Sequence, residues 1–500
     1  MRFAAALLAV GFLAIAGHPA GAQEEPSARE RELEQLVRQL GQQVTDLEKR
    51  LQAVEASQGQ PGPGGDVENR LGQLEQKVET IHTRPPGELT PEEITEMRKV
   101  VDTFGKGETM RPYWKEGLRF DSNDGSFQLK LGGFFQYDLG YFAGDSHIEE
   151  TTGAIDAARS EIEDGSEFRR ARINVSGSMY DNIDFKVEYD FAEGDARFTD
   201  VYMGIKKVPV VGNVRIGHFK EPFGLEELTS DLNVTFLERA LPTVFDPVRN
   251  AGIMVHNTLL DERMTWAAGF FRETDDFANG AGSRDYNATA RLTGLPWYEE
   301  EGRKLLHVGV AYTHKNFEDD VVRFRQRPEA HLAPRFVDTG TFPAEYSDTV
   351  GAELAWVCGP FSLQGEFMQA FVESRVASDP TFWGAYLQAS YFLTGEHRPY
   401  DRVAGSFKGV KPKKNFGKDG WGAWEVAVRY SHLDLNDRIL DFDGVDTSDG
   451  ELRDFTVGLN WYLNPNARFM WNYVRADVAE DDAEDGGEID IYQMRFQLSF

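Results

Sequence analysis

The strongest constraint on this chain is an alternation of side-chain character with a period of two, which runs from about residue 117 to the C-terminus. Between Ile183 and Phe191, apolar residues at the odd positions alternate with ionisable residues at every even position. Successive side chains of a strand point to opposite faces, so one face here is apolar and the other charged. A soluble sandwich would turn the charged row to bulk water. A membrane barrel turns the apolar row to lipid and the charged row to a wet lumen.

Sixteen strand candidates follow this alternation. They begin near residues 127, 166, 183, 197, 213, 251, 263, 284, 304, 348, 361, 382, 421, 451, 467 and 488. Tight turns alternate with longer, acidic loops between them, as in bacterial barrels with short periplasmic turns and long external loops. The sequence therefore predicts an all-β transmembrane barrel of 16 antiparallel strands over residues 117–500, wide enough for an aqueous channel. The long basic segment 395–420 falls on the periplasmic side, where short turns are expected. It is therefore an elaborated turn, or the predicted number of strands is wrong by two.

The last strand alternates apolar and polar residues and finishes on the aromatic Phe500. A terminal aromatic on such a strand is typical of the signal that the outer-membrane assembly machinery recognises. Beyond the N-terminus no uninterrupted apolar run approaches 18 residues, so a mature transmembrane helix is not expected. The net charge of −30 argues against a nucleic-acid partner. Cys358 is the single cysteine, which excludes an intramolecular disulfide.

The N-terminal part has a different organisation. Residues 1–22 have the charged start, short apolar core and Ala20-Gly21-Ala22 site of a signal peptide. Residues 23–82 carry an a/d heptad seam, interrupted near residues 58–65, which predicts a periplasmic α-helical coiled coil. A single amphipathic helix lying on the barrel is the alternative. Residues 83–116 are predicted to be a linker with a short helix.

Several longer motifs resemble one known family, the phosphate-selective porin O and P family. They are residues 168–172 (FRRAR), 214–224 (VRIGHFKEPFG), 235–239 (TFLER), 249–252 (RNAG), 391–400 (YFLTGEHRPY) and 422–433 (GAWEVAVRYSHL). The resemblance spans most of residues 117–500. It implies a homotrimer of sixteen-stranded barrels in the outer-membrane lipid, with a third external loop folded into each pore and small anions such as phosphate as the solute.

The candidate anion pathway begins with this third loop, from Lys220 to Asn250. The alternative interpretation is that this segment is an ordinary external loop that does not enter the pore. It carries Lys220, Arg239 and Arg249 among several acids, and sequence leaves open whether Glu238 or Arg239 faces the pore. In the second strand the alternation places Arg170 and Arg172 on the lumen row. Arg169 falls on the lipid row, where it would have to lie at the rim or at a subunit contact.

Arg323, Arg325 and Arg327 of the fifth loop are spaced by two residues, so on an extended segment they project to one side. Arginine keeps its charge at physiological pH and can bind oxyanions through two N–H groups. The three resemble the arginine ladder of phosphate-selective family members. The alternative is a solvated loop whose arginines pair with Glu318, Asp319 and Asp320.

These features favour an outer-membrane porin for passive diffusion of anions, through a constriction lined by arginine and lysine. A general or cation-favouring porin is the alternative within transport, because the loop also carries many acids. A structural protein whose coiled coil contacts the cell wall is a second class. An outer-membrane phospholipase would need a Ser/His constellation, which the sequence does not display. We therefore expect no catalytic residues, no metal site and no cofactor.

Overall fold

The computed structural model describes residues 110–115, 117–144, 162–194, 196–280, 286–317, 321–375, 379–437, 450–479 and 487–500. The chain separates into two compact units, residues 1–111 with 122–124 and residues 112–121 with 125–500. The predicted signal peptide (1–22), the coiled coil (23–82) and most of the linker (83–116) lie outside the described residues and stay predictions. The described end of the linker contains the strand Met110–Trp114. No helix among the described residues is long and apolar enough to cross a membrane.

The second unit is a barrel of sixteen antiparallel strands. The strands are β1 Phe127–Gly144, β2 Gly165–Met179, β3 Ile183–Asp190, β4 Arg197–Val208, β5 Gly212–Lys220, β6 Arg249–Leu259, β7 Met264–Arg272, β8 Tyr286–Glu299, β9 Lys304–Asn316, β10 Phe342–Cys358, β11 Phe361–Ser374, β12 Thr381–Phe392, β13 Ala423–Asp434, β14 Glu451–Asn464, β15 Ala467–Ala479 and β16 Gly487–Ser499. Each strand pairs with the next, which confirms the sixteen predicted strands. The largest error is at β10, which begins six residues before the predicted position because it also pairs with the short strand Val321–Val322.

The barrel closes through β16, which pairs antiparallel with β1 from Ile489 to Ser499. Phe500 continues this pairing, since its backbone N–H donates to the carbonyl of Gly133 at 2.9 Å and its carbonyl accepts from the Gly133 N–H at 3.0 Å. A Cβ at Gly133 would lie 2.8 Å from the Phe500 ring, so glycine makes room for this terminal aromatic. The last strand thus leaves no open sheet edge in the barrel.

Aromatic side chains form an outward-facing row near the turn end of β13 to β16. Trp424 and Trp461 stack with ring centroids 5.1 Å apart, and Trp461 stacks on Phe469 at 5.9 Å. Phe469 in turn contacts Phe496 at 5.0 Å. Amphipathic rings at this height are typical of the girdle at a membrane–water boundary. This row supports the predicted orientation of the apolar face toward lipid.

The long segment between β12 and β13 is an elaborated turn. β12 ends at Phe392, β13 begins at Ala423, and the two strands pair directly with each other, so the strand count holds there. Within this segment, the short strands Tyr400–Asp401 and Ser406–Phe407 form a hairpin. We call residues 400–407 the turn hairpin, because they lie at the end of the barrel that carries the tight turns.

Candidate functional site

Residues 221–248, which connect β5 to β6, lie inside the barrel and form what we call the inner loop. Most of their side chains are buried, including Phe223, Phe236 and Leu241. The loop opens with a one-turn helix, Leu225–Leu228, whose first two backbone N–H groups donate to the Glu366 carboxylate on β11 at 2.6 and 2.8 Å. A carboxylate there satisfies N–H groups that have no partner within the helix. The loop therefore reaches from β5 to the wall at β11.

Three arginines of neighbouring strands hold the far side of the inner loop. Arg429 of β13 donates to the Glu238 carbonyl at 2.9 Å, and Arg468 of β15 donates to the Val234 carbonyl at 2.9 Å. Arg495 of β16 forms an ion pair with the Glu238 carboxylate at 2.8 Å. All three guanidinium groups are almost fully buried, so each depends on such partners to offset its lost hydration. The alternation predicts their lumen-facing positions, but the partners are distant in sequence.

Asp231 of the inner loop forms ion pairs with three more arginines. Its carboxylate lies 2.6 Å from Arg172 and 3.4 Å from Arg170, both on β2, and 2.8 Å from Arg239 of the loop itself. Burial alone would raise the pKa of Asp231, but the three positive charges outweigh it and hold the pKa well below its ordinary value. Asp231 therefore stays ionised and ties the loop to β2.

Arg169 faces the lumen, so the prediction that places it on the lipid row is wrong. Arg170 of β2 pairs with Gln136 of β1, and Phe168 pairs with the next residue, Tyr137. Arg169, which lies between them, has no partner on β1 and is therefore the extra residue of a β-bulge. A bulge interrupts the alternation and re-aims a side chain. The Arg169 guanidinium donates to both carboxylate oxygens of Glu238 at 3.0 and 3.1 Å. Arg169 and Arg170 therefore both contact the inner loop.

The turn hairpin contacts the lumen side of the barrel from the opposite end. The Tyr400 hydroxyl lies 2.7 Å from Nδ1 of His307 on β9. The backbone N–H of Phe407 donates to the Thr229 hydroxyl of the inner loop at 3.4 Å. The long basic segment thus meets the inner loop inside the barrel, which no local sequence pattern indicates.

A cavity of about 440 Å³ lies between the inner loop, the turn hairpin and the wall formed by β2 to β8. Its lining contains six cationic and four acidic side chains, a formal excess of two positive charges among the described residues. The cationic residues are Arg172, Lys186, Arg215, Lys220, Arg249 and Arg291, and the acidic residues are Glu188, Asp200, Asp231 and Asp401. Cationic side chains therefore outnumber acidic ones in this lining, although the net charge of the whole chain is −30.

Three of the sequence-predicted residues, Arg172, Lys220 and Arg249, line this cavity. Lys220 pairs with Glu227 of the inner loop at 2.9 Å, and Arg249 pairs with Asp200 of β4 at 2.9 Å. Such pairs hold the cationic side chains in fixed positions at the wall.

Arg170 and Arg239 take part instead in the ion-pair network around Asp231. The Arg239 guanidinium also donates to the carbonyls of Glu226 and Thr229, at 3.2 Å each. Of the two neighbours that sequence could not orient, Arg239 therefore turns toward the loop's own backbone and Glu238 toward β2 and β16.

Three further cations at the cavity, Lys186, Arg215 and Arg291, were not singled out from sequence. Lys186 pairs with Asp200 at 2.7 Å. Arg291 of β8 pairs with Glu353 at 2.7 Å and donates to the Gly405 carbonyl of the turn hairpin at 2.9 Å. The alternation of polar and apolar residues in β3, β5 and β8 places all three on the polar row, and this pattern could have identified them as lumen-facing cations.

The fifth-loop arginines lie apart from this cavity, whose described lining includes none of them. Arg323 and Arg325 are both exposed while their neighbours are partly buried, as expected for an extended segment. Arg323 pairs with Asp338 at 2.6 Å, and Arg327 donates to a backbone carbonyl of its own loop at 2.7 Å. The acids at 318–320, which formed the alternative pairing, lie outside the described residues.

Comparison with known proteins agrees with the motifs. The sequence profile of the family phosphate-selective porin O and P matches residues 135–500. Porin O of Pseudomonas aeruginosa is 27% identical over 417 residues, 76% of this chain and 91% of that protein. An uncharacterised Caulobacter vibrioides protein is 28% identical over 427 residues, 81% of each chain. Among solved structures, an anion-selective porin from Comamonas acidovorans aligns with a TM-score of 0.46 at 12% identity, covering 75% of this chain and all of that one.

Proposed function

Because this chain belongs to the phosphate-selective porin O and P family and is an outer-membrane porin, we propose that it carries phosphate or related oxyanions by passive diffusion. The family and the barrel fold indicate a channel rather than an enzyme. The observation that carries the proposal is the set of six cationic side chains that line the cavity between the inner loop and β2 to β8. Cations around a narrow, water-filled passage raise the local concentration of anions and oppose the entry of cations.

The inner loop is the element that narrows the passage. A sixteen-stranded barrel alone leaves a wide aqueous channel. Here the loop is tied to the wall at β2, β11 and β13 to β16, and the turn hairpin approaches it from the other end. Solutes must therefore pass through the part of the lumen that the cavity occupies.

The predicted pathway residues divide into two roles in this proposal. Arg172, Lys220 and Arg249 contact the passing anion at the cavity, while Arg170 and Arg239 hold the inner loop in place through Asp231. Arg323, Arg325 and Arg327 lie nearer the loop end and attract anions toward the entrance. Because Arg172, Lys220 and Arg249 are already paired with acids, their contacts with the anion are weak enough for release.

The family resemblance also implies a homotrimer, and we propose the same assembly here, embedded in outer-membrane lipid.

The four acids of the cavity wall leave one alternative function, a general or cation-favouring porin. A structural tether formed by residues 23–82 is a further alternative, and it predicts that deletion of that segment weakens envelope attachment and leaves conductance per pore unchanged.

Neutralising Arg249 should lower anion selectivity. A unit charge roughly 6 Å from a passing ion in a water-filled pore changes the ion's energy by about 0.7 kcal/mol, a factor of about three. Because the same charge attracts chloride and repels potassium, we expect the Arg249→Gln variant to reduce the chloride-to-potassium permeability ratio by about tenfold. The measurement is the reversal potential of reconstituted single channels in a KCl gradient.

Asp200 provides the matched control, because it pairs with both Arg249 and Lys186 in the same wall. The Asp200→Asn variant removes one negative charge and should shift the reversal potential in the opposite direction. Equal shifts of the same sign in both variants would show that the local charge does not set selectivity.

A further inference from the structure

One cation of the cavity differs from the others. Arg172, Lys186, Lys220, Arg249 and Arg291 each form an ion pair with a carboxylate. Among the residues that the structure describes, no carboxylate lies within the 4.0 Å ion-pair distance of the Arg215 guanidinium. Arg215 is thus the cavity cation whose charge is left for a ligand.

Aromatic rings fix the orientation of this guanidinium. Arg215 of β5 lies over the ring of Tyr202 with 4.2 Å between its central carbon and the ring centroid, and 5.4 Å from the ring centroid of Phe219. Cation–π contacts of this kind hold a guanidinium by one face and leave its N–H edge available. A carboxylate could then accept two parallel hydrogen bonds from that edge.

Apolar side chains lie on one side of Arg215. Phe219 and Met254 are buried beside it, and Met254 is the register partner of Arg215 on β6. On the other side, Gly204 of β4 is the register partner of Arg215, and the Asp184 carboxylate of β3 occupies the space beside this glycine. The cavity volume of about 440 Å³ is within the range of small-molecule pockets, about 300–1,000 Å³. An anion bound here would place its charged end on Arg215 and the rest of the molecule against apolar side chains.

We propose that Arg215, Tyr202 and Phe219 form a binding site for organic carboxylates that carry an apolar or aromatic group. This inference rests on the proposed anion pathway, and it extends the solutes of the pore from inorganic oxyanions to a second chemical class. A small inorganic anion would use the charge of Arg215 but not the apolar wall. The body of an aromatic carboxylate uses both, because it also removes apolar surface from water.

The test is block of the single-channel chloride current by three probes, benzoate, acetate and inorganic phosphate. In the wild type, benzoate should block at a concentration about tenfold lower than acetate, which has the same carboxylate without the ring. In the Arg215→Gln variant, the half-blocking concentration of benzoate should rise about tenfold, while that of phosphate, which uses the charge alone, should rise only about threefold. Tyr202→Leu should weaken block by benzoate more than block by acetate.

The Lys418→Gln variant is the control, because Lys418 is exposed in the turn segment and its loss changes the net charge equally. Equal block by benzoate and acetate in the wild type, or unchanged benzoate block in Arg215→Gln, would overturn the proposed carboxylate-binding site. Neither result would contradict the proposed anion pathway. A cation-selective wild type would instead overturn the pathway itself.

Discussion

Removal of residues 225–245 from the inner loop, with a short Gly-Ser bridge from Gly224 to Asp246, should raise single-channel conductance several-fold and reduce anion selectivity. The loop occupies the lumen from β5 to the wall at β11 and β13 to β16, and a sixteen-stranded barrel without such a loop has a wide aqueous channel. Arg429, Arg468 and Arg495 would lose their loop partners, but water would enter and hydrate them.

The measurement is conductance of the reconstituted variant, together with the heat-induced mobility shift that reports a folded barrel. The matched control is removal of residues 438–449 from the connection between β13 and β14, which leaves the inner loop intact and should leave conductance nearly unchanged. A folded variant without residues 225–245 that conducts like the wild type would show that the inner loop does not limit the passage.

Neutralisation of Asp231 should detach the middle of the inner loop. The Asp231→Asn variant leaves Arg170, Arg172 and Arg239 without their shared carboxylate, and loss of one partner from a buried ion pair typically costs about 3–5 kcal/mol. Because the loop is not part of the barrel sheet, we expect the barrel to remain folded. The open channel should become noisy, and trypsin should cleave after Arg239 much faster than in the wild type.

The same site predicts the pH response of the wild type. The pKa of Asp231 is lowered in the folded loop, so the stabilisation is fully present above its unfolded value of about 4 and is lost only as pH falls through the lowered pKa. Acidification to about pH 5 should therefore leave the current quiet. The control is Asp276→Asn, an exposed partner of Arg197 with the same charge change. A quiet, protease-resistant Asp231→Asn channel would contradict this role.

The barrel could be predicted almost completely from sequence, because its strands obey one physical rule throughout. Lipid on one face and water on the other impose a period of two, and the structure confirms the sixteen strands, including the closure beside Phe500. The rule fails at Arg169, where a β-bulge adds one residue and turns a presumed lipid-facing arginine into the lumen. A bulge depends on pairing with β1, which alternation along one strand does not encode.

The lining of the cavity could be predicted only in part. Arg172, Lys220 and Arg249 lie on polar strand rows or in the third loop, but the separation of wall cations from loop-holding cations depends on contacts between distant segments, such as Arg239 with Asp231. The entry of the turn hairpin depends on the contact of Phe407 with Thr229, 178 residues away in sequence. The absence of an ion-pair partner for Arg215 among the described residues is likewise a property of the assembled wall.

We propose that the inner loop and its surrounding cations make this porin anion-selective. The most direct measurement is the reversal potential of the wild-type channel in a planar bilayer under a KCl gradient, followed by addition of millimolar phosphate. The proposed function predicts the sign of a chloride-selective pore and a decrease of the chloride current when phosphate binds. A reversal potential with the sign of a potassium-selective pore would contradict it.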